Sequence, residues 1–298
     1  MSDTLASLSR KIGGAGDLKS VVRSMKALAA ASIGQYERSV LALGDYYRTV
    51  ELGLAVCLRK RDGNAAETVG PASNAAKTVS AIVFGSDQGL VGQFNDSLAE
   101  FVAKSLRALP GEKKVWAVGD RVQSRLADAG LPPVGLFAVP TSVGAITPLV
   151  RQILIESETH HRPDDIGQLY VFHNCPRSGA AYEPVSQHVL PMDAQWGLRL
   201  AHLPWPTRNL PEVFGGRERT LQALVREYLF VSLFKACAES LASENASRLA
   251  AMQRAEKNID DLVGNLNQTF RRLRQTSIDE ELFDVLAGYE SLSKGRTR

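Results

Sequence analysis

"AAASIGQYERSVLALGDYYRTVELGLAVC" occupies residues 29–57, and its apolar positions step alternately by four and by three. They are Ala29, Ile33, Tyr36, Val40, Leu43, Tyr47, Val50, Leu54 and Cys57. Residues so spaced form one stripe along a helix, which is the pattern of a coiled-coil seam. Downstream, "RKRDGNAAETVGPASNAAKT" (59–78) is rich in Gly, Asn, Pro and Ala and has no period, so residues 60–77 read as a linker.

A second seam lies near the other end of the chain. Leu249, Met252, Ile259, Val263, Leu266, Phe270 and Leu273 keep the same stepping, with Glu256 as a polar interruption. The helical pattern around it runs from about Arg217 to Ala287 without a proline, roughly 100 Å at helical rise. Each seam needs a partner face, and the economical solution is that the two pair with each other. A folded middle separates them, so the predicted pair is antiparallel. Pairing of each helix with a separate partner, or dimerisation, is the other solution.

The middle alternates strand and helix. "TVSAIVFG" (78–85), "KKVWAVG" (113–119) and "VGLFAV" (134–139) read as strands. Helical patterns follow them over 93–108, 120–129 and 146–159. "QLYVFHN" (168–174) and the more polar "AYEPVSQHVL" (181–190) close the set. Alternation of this kind predicts an α/β fold, a Rossmann-like central domain with a mainly parallel sheet. The predicted organisation is an N-terminal shaft helix (1–59), a linker (60–77) and a central α/β domain (78–202). A Pro-rich connector (203–212) and a C-terminal shaft helix (213–298) complete it.

Composition narrows the function classes. Of 298 residues, 44% are hydrophobic and 22% charged, and the net charge is +3. So small an excess gives no footprint for nucleic acid. No run of about eighteen apolar residues suggests a membrane span, and the N-terminus lacks a basic-then-apolar signal pattern. Three scattered cysteines, Cys57, Cys175 and Cys237, suit a reducing compartment.

Four motifs invite chemistry. In "RKIGGAGDLKS" (10–20) three glycines precede Lys19-Ser20, but a phosphate loop counted from Gly13 requires glycine where Leu18 stands. These glycines instead predict a weakened or kinked helix, one that starts afresh with Asp17 as its cap. "GSDQGLVGQFN" (85–95) does not carry the dinucleotide fingerprint G-x-G-x-x-G, and no acidic residue ends the second strand. "HNC" (173–175) offers two metal-ligand types at one short spacing, with no partner pair in view, and reads as structural. His160-His161 reads as the cationic end of a helix. No patterned nucleophile and base is present, so the sequence predicts no catalytic, cofactor-binding or metal site.

The C-terminal helix carries "SE-x-x-SR-x-x-AM" (Ser243 to Met252), Asn258 and "RQ-x-x-I-x-x-EL" (Arg274 to Leu282). At this mutual spacing it resembles the signature of the γ subunit of F-type ATP synthases. "RKI" (10–12), Met25 and "AA" (29–30) are similar to the family's N-terminal helix, and "GSDQGLVGQFN" to its "SD-x-GLCG-x-FN". The resemblance implies a central-stalk rotor: an antiparallel helical shaft within a hexamer of α and β subunits, and an α/β foot beside the ε subunit on the membrane c-ring. It implies a non-catalytic chain that couples ion flow to ATP synthesis or hydrolysis by rotation. It also implies a peripheral position on the cytoplasmic face of the bacterial inner membrane.

Residue by residue, the resemblance assigns contact with the α/β hexamer to Met25, Arg248, Arg274 and Gln275. Without the family, Met25 reads as a gap-filling core residue, and Arg271, Arg272 and Arg274 as a solvated helix face. Asp279 and Val91 depart from the family's common Thr and Cys, and nothing carries over to them. With Gly13, Gly14, Gly16 and Val21-Val22, the chain reads as a divergent bacterial member. From a different class comes the alternative of a ligand-binding α/β sensor that signals through a coiled coil.

Overall fold

A computed structural model describes residues 4–59, 78–160, 167–177, 182–191, 196, 200, 202–209, 211–214 and 216–295. The predicted linker 60–77 and His161 lie outside the described residues. Chain contacts divide the molecule into two units. One joins Met1–Leu28 with Ala250–Arg298, and the other is Ala29–Leu249.

Helix α1 spans Leu5–Arg59. Thr4 starts it, its hydroxyl accepting the Ser7 N–H at 3.2 Å and its carbonyl the Leu8 N–H at 3.0 Å, which satisfies amides left open at a helix start. The helix runs unbroken through Gly13, Gly14 and Gly16, and Asp17 lies within it. This corrects the expected kink and fresh start. Three glycines cost roughly 3 kcal/mol relative to alanine. Against that stand Leu8, Ala15 and Val22, one heptad apart and all buried. The seam therefore begins three heptads before Ala29, where small residues and glycines hide it from a sequence reading.

In the larger unit, β1 (Thr78–Phe84), β2 (Glu112–Val118), β3 (Gly135–Phe137), β4 (Gln168–Pro176) and β5 (Tyr182–Leu190) form one sheet in the order β3-β2-β1-β4-β5. The first four strands run parallel, with Thr78 opposite Glu112 and Val79 opposite Gln168. β5 is antiparallel to β4 and forms one edge, a position that tolerates Pro184.

Helices α2 (Phe94–Arg107) and α3 (Asp120–Asp128) cover one face. Leu98, Val102 and Leu106 of α2 pack with Val122 and Leu126 of α3 on Val79, Ala81, Val83, Val115 and Ala117. The alternate strand residues Ile82, Phe84, Trp116, Val118 and Val171 face the other way. There they meet α4 (Ile146–His160) and parts of α1 and of α5 (Arg217–Gly295). Burial on both faces is what a parallel sheet with apolar strands requires. Within this unit α1 and α5 run antiparallel: the Tyr46 hydroxyl donates to Glu227 at 2.5 Å, and Gly53 sits against Leu224.

Candidate functional site

Two constellations emerge, one in each unit. In the larger unit, "GSDQGLVGQFN" fills the carboxyl end of the sheet with its own side chains. The Ser86 N–H donates to Asn95 Oδ1 at 3.1 Å, and Asn95 Nδ2 returns a bond to Ser86 Oγ at 2.8 Å. Asp87 accepts the Asp120 N–H at 3.0 Å and the Val139 N–H at 2.9 Å, joining the loops that follow β2 and β3. A Cβ added to Gly85 would stand 2.3 Å from Val122. Gly119, at φ 117°, lets the loop pass close to Ser86, a conformation costly for other residues. These bonds tie the loop after β1 to those after β2 and β3 at the carboxyl end of the sheet.

Helix α5 is bolted to this edge by three hydroxyls on one helix face. Ser240 donates to the Phe84 carbonyl at 3.0 Å, Ser243 to Asn174 at 2.9 Å and Ser247 to Val91 at 2.5 Å. They satisfy the carbonyls of the last residue of β1, of a residue within β4 opposite Pro184, and of the loop after β1, respectively. Two of these serines belong to "SE-x-x-SR", so that motif has a structural task legible only in three dimensions. Beside them Arg248 Nη2 donates to Glu244 Oε1 at 2.5 Å, with 12% and 7% of the side chains exposed. Burial pushes the Glu244 carboxyl above its usual range, against the opposing pull of Arg248. Glu244 Oε2 and Arg248 Nε are buried with no partner among the described residues.

The smaller unit is a helix pair. Ala15 and Val22 of α1 pack on Met252 and Ile259 of α5, with Met25, Ala251, Ala255 and Val263 around them. Glu256, the polar interruption in the second seam, is gripped from α1 by Lys26 at 2.5 Å and Arg23 at 2.7 Å. Hydrogen bonds from Lys26 and then Arg23 hold its carboxyl down at about 2. Lys19 pairs with Asp260. Four residues forward on α1, from Lys19 to Arg23, match four residues back on α5, from Asp260 to Glu256, so the pair is antiparallel. Sequence reasoning missed this clasp because its halves lie 230 or more residues apart. Its only local sign was a carboxylate on an apolar stripe.

Of the four residues assigned to partner contact, Met25 is partly buried in this small core. Arg274 and Gln275 are exposed on α5, where Gln275 Nε2 donates to Asp279 Oδ1 at 3.0 Å. Arg248, with 12% of its side chain exposed, lies in the larger unit. Met25, Arg274 and Gln275 belong to the smaller unit. Past Ser277, α5 is exposed through residue 287, including Ile278 (49%), Leu282 (56%), Phe283 (68%), Val285 (69%) and Leu286 (51%). No described helix is long and apolar enough to cross a membrane.

The family model described as ATP synthase matches residues 4–292. The ATP synthase gamma chain of Geobacter metallireducens is 25% identical over 293 residues, covering 97% of this chain and 99% of that one. The ATP synthase gamma chain of a Synechococcus species is 28% identical over 310 residues, covering 93% and 95%. Among solved structures, the rotor of the Euglena gracilis mitochondrial ATP synthase in rotational state 1 aligns with a TM-score of 0.62 at 14% identity, covering 92% and 98%. A chain of the same organism's OSCP/F1/c-ring assembly in rotational state 3 aligns at 0.64 and 15%, covering 99% and 96%.

Proposed function

This chain belongs to the ATP synthase gamma-chain family, and from that premise we propose how it works as the central-stalk subunit of an F-type ATP synthase. It couples ion flow to ATP synthesis or hydrolysis as the rotor, turning against α and β subunits and carried with the ε subunit by the c-ring. The chain itself makes and breaks no bond of ATP. Its sheet edge, filled by Ser86, Asp87 and Asn95, supports that division of labour. It is peripheral to the membrane, on the cytoplasmic face, and reaches the bilayer through its partners.

One observation carries this reading: Ile278, Leu282, Phe283, Val285 and Leu286, set among the carboxylates of Asp279, Glu280, Glu281 and Asp284, are uncovered on a helix that continues from Arg274 and Gln275. An apolar surface beside polar anchors is a partner surface. Arg274 suits acidic stator loops because its planar fork binds carboxylates bidentately. Gln275 adds an adaptable amide, and Met25 and Arg248 complete the proposed contact set. The sensor alternative gives way because the family match spans both terminal helices as well as the middle.

The test is Arg274→Ala in the assembled complex. ATP-driven turnover or its coupling should fall roughly tenfold, as loss of an interface arginine does, while the melting temperature of the isolated chain holds. Unchanged turnover would show the contact to be dispensable. Robust ATP hydrolysis by the isolated chain would overturn the non-catalytic role.

A further inference from the structure

His173 and Cys175 stand two residues apart on β4 and so share one face of the sheet. That face is turned to α5 in the same unit, where Glu239 meets them: His173 Nε2 and Glu239 Oε2 are 2.7 Å apart. A ring nitrogen, the Cys175 sulfur and a Glu239 carboxylate oxygen all lie within 4.8 Å of one another. The side chains of His173 and Glu239 are 5% and 14% exposed. The other ring nitrogen, His173 Nδ1, is buried with no hydrogen-bond partner among the described residues, an arrangement that native interiors rarely leave uncompensated. Lys235 approaches Glu239 Oε1 at 3.8 Å from an exposed position.

We propose that His173, Cys175 and Glu239 form a binding site for a divalent metal ion of the zinc class. Imidazole, thiolate and carboxylate together match a borderline ion, whereas magnesium and calcium favour all-oxygen sets. Three protein ligands leave the fourth tetrahedral position to water. At zinc bond lengths, tetrahedral ligand atoms sit roughly 3.3–3.6 Å apart, so the His173–Glu239 contact opens by about 0.6 Å as the ion replaces their shared proton. The Cys175 thiol proton leaves to solvent, and the proton between Nε2 and Glu239 moves to Nδ1, so the imidazole binds as a neutral ligand. The bound ion ties β4 to α5 beside the Ser243–Asn174 bond. "HNC" alone lacked this reading because its third ligand comes from a distant helix.

Titrating the full chain with Co²⁺ under reducing, anaerobic conditions tests the site. One equivalent should bind, with a thiolate-to-cobalt charge-transfer band in the near ultraviolet and the visible bands of a four-coordinate ion. Zn²⁺ should displace it and raise the melting temperature, and Mg²⁺ should not compete. Cys175→Ala should abolish the charge-transfer band, which separates this thiol from buried Cys57 and Cys237. Glu239→Gln keeps a hydrogen-bonding partner for His173 and should weaken binding at least about tenfold. Absence of the band at saturating Co²⁺ in the unsubstituted chain would overturn the proposal without recourse to any variant. So would Zn²⁺ binding undiminished in Cys175→Ala.

Discussion

Among the described residues, those of the larger unit hold their helices by burial, and those of the smaller unit hold theirs by a thin apolar seam edged with charge. In the larger unit α1 and α5 share a core with a sheet and α4. In the smaller unit the buried apolar residues among those described are Leu8, Ala15, Val22, Met252 and Ile259. A helix pair with no further layer cannot enclose much apolar area, because each helix offers one stripe and exposes the rest. Cross-helix pairs such as Lys19–Asp260 and Arg23–Glu256–Lys26 then choose register and direction more than they add stability. The larger unit needs no such clasp, since interlocked side chains on both sheet faces allow a single arrangement.

The comparison is broken most severely by emptying the larger core. Phe84→Ala, at a ring only 1% exposed, should cost about 3–5 kcal/mol in denaturant unfolding. Hydrogen exchange should locate the loss within residues 29–249. An equal loss of protection at residues 10–26 would show that the two units unfold as one.

A smaller effect of opposite sign is expected in the helix pair. A Cβ added at Gly13, Gly14 or Gly16 would meet nothing within 4 Å. The triple substitution to alanine should therefore stabilise this stretch by up to about 1 kcal/mol per site. Amide exchange over residues 10–20 should slow at least about fivefold. No slowing would mean that a partner, and not helix propensity, sets the order here.

The gentlest test is acid. Glu256 has its carboxyl held down at about 2, against an ordinary value of 4.5. A depressed carboxylate stabilises the folded state above its ordinary value, and that contribution is lost as pH falls from about 4.5 towards 2. Exchange protection of the helix pair, corrected for intrinsic rates, should decline over that window and with added salt. Glu256→Gln should flatten both responses. A wild-type profile level through the window would remove the clasp from the account.

Much of this fold was legible because periodicity is local. The stepping of Ala29 to Cys57 and of Leu249 to Leu273 marked two apolar faces but not their partners: Met252 and Ile259 meet Ala15 and Val22 and not the first seam, whereas Val50 and Leu54 pack in the larger core with Leu224 and Tyr228. Strand–helix alternation placed the sheet elements within a few residues. The glycines at 13, 14 and 16 were misread for an equally physical reason. Their local cost is real, but the buried heptad positions Leu8, Ala15 and Val22 outweigh it. At the candidate sites less was visible: Glu256 looked like a flaw until Arg23 and Lys26 reached it, and "SE-x-x-SR" was a resemblance until its serines met the carbonyls of Asn174 and Val91.

By itself, then, the sequence determined which segments are helix or strand and which side of each is apolar, since backbone geometry turns spacing directly into faces. Only the tertiary structure decided which distant residues meet. A seven-residue period repeats along its helix and is satisfied by many registers. One register places Glu256 between Arg23 and Lys26, and one placement of α5 brings Glu239 to His173 and Cys175.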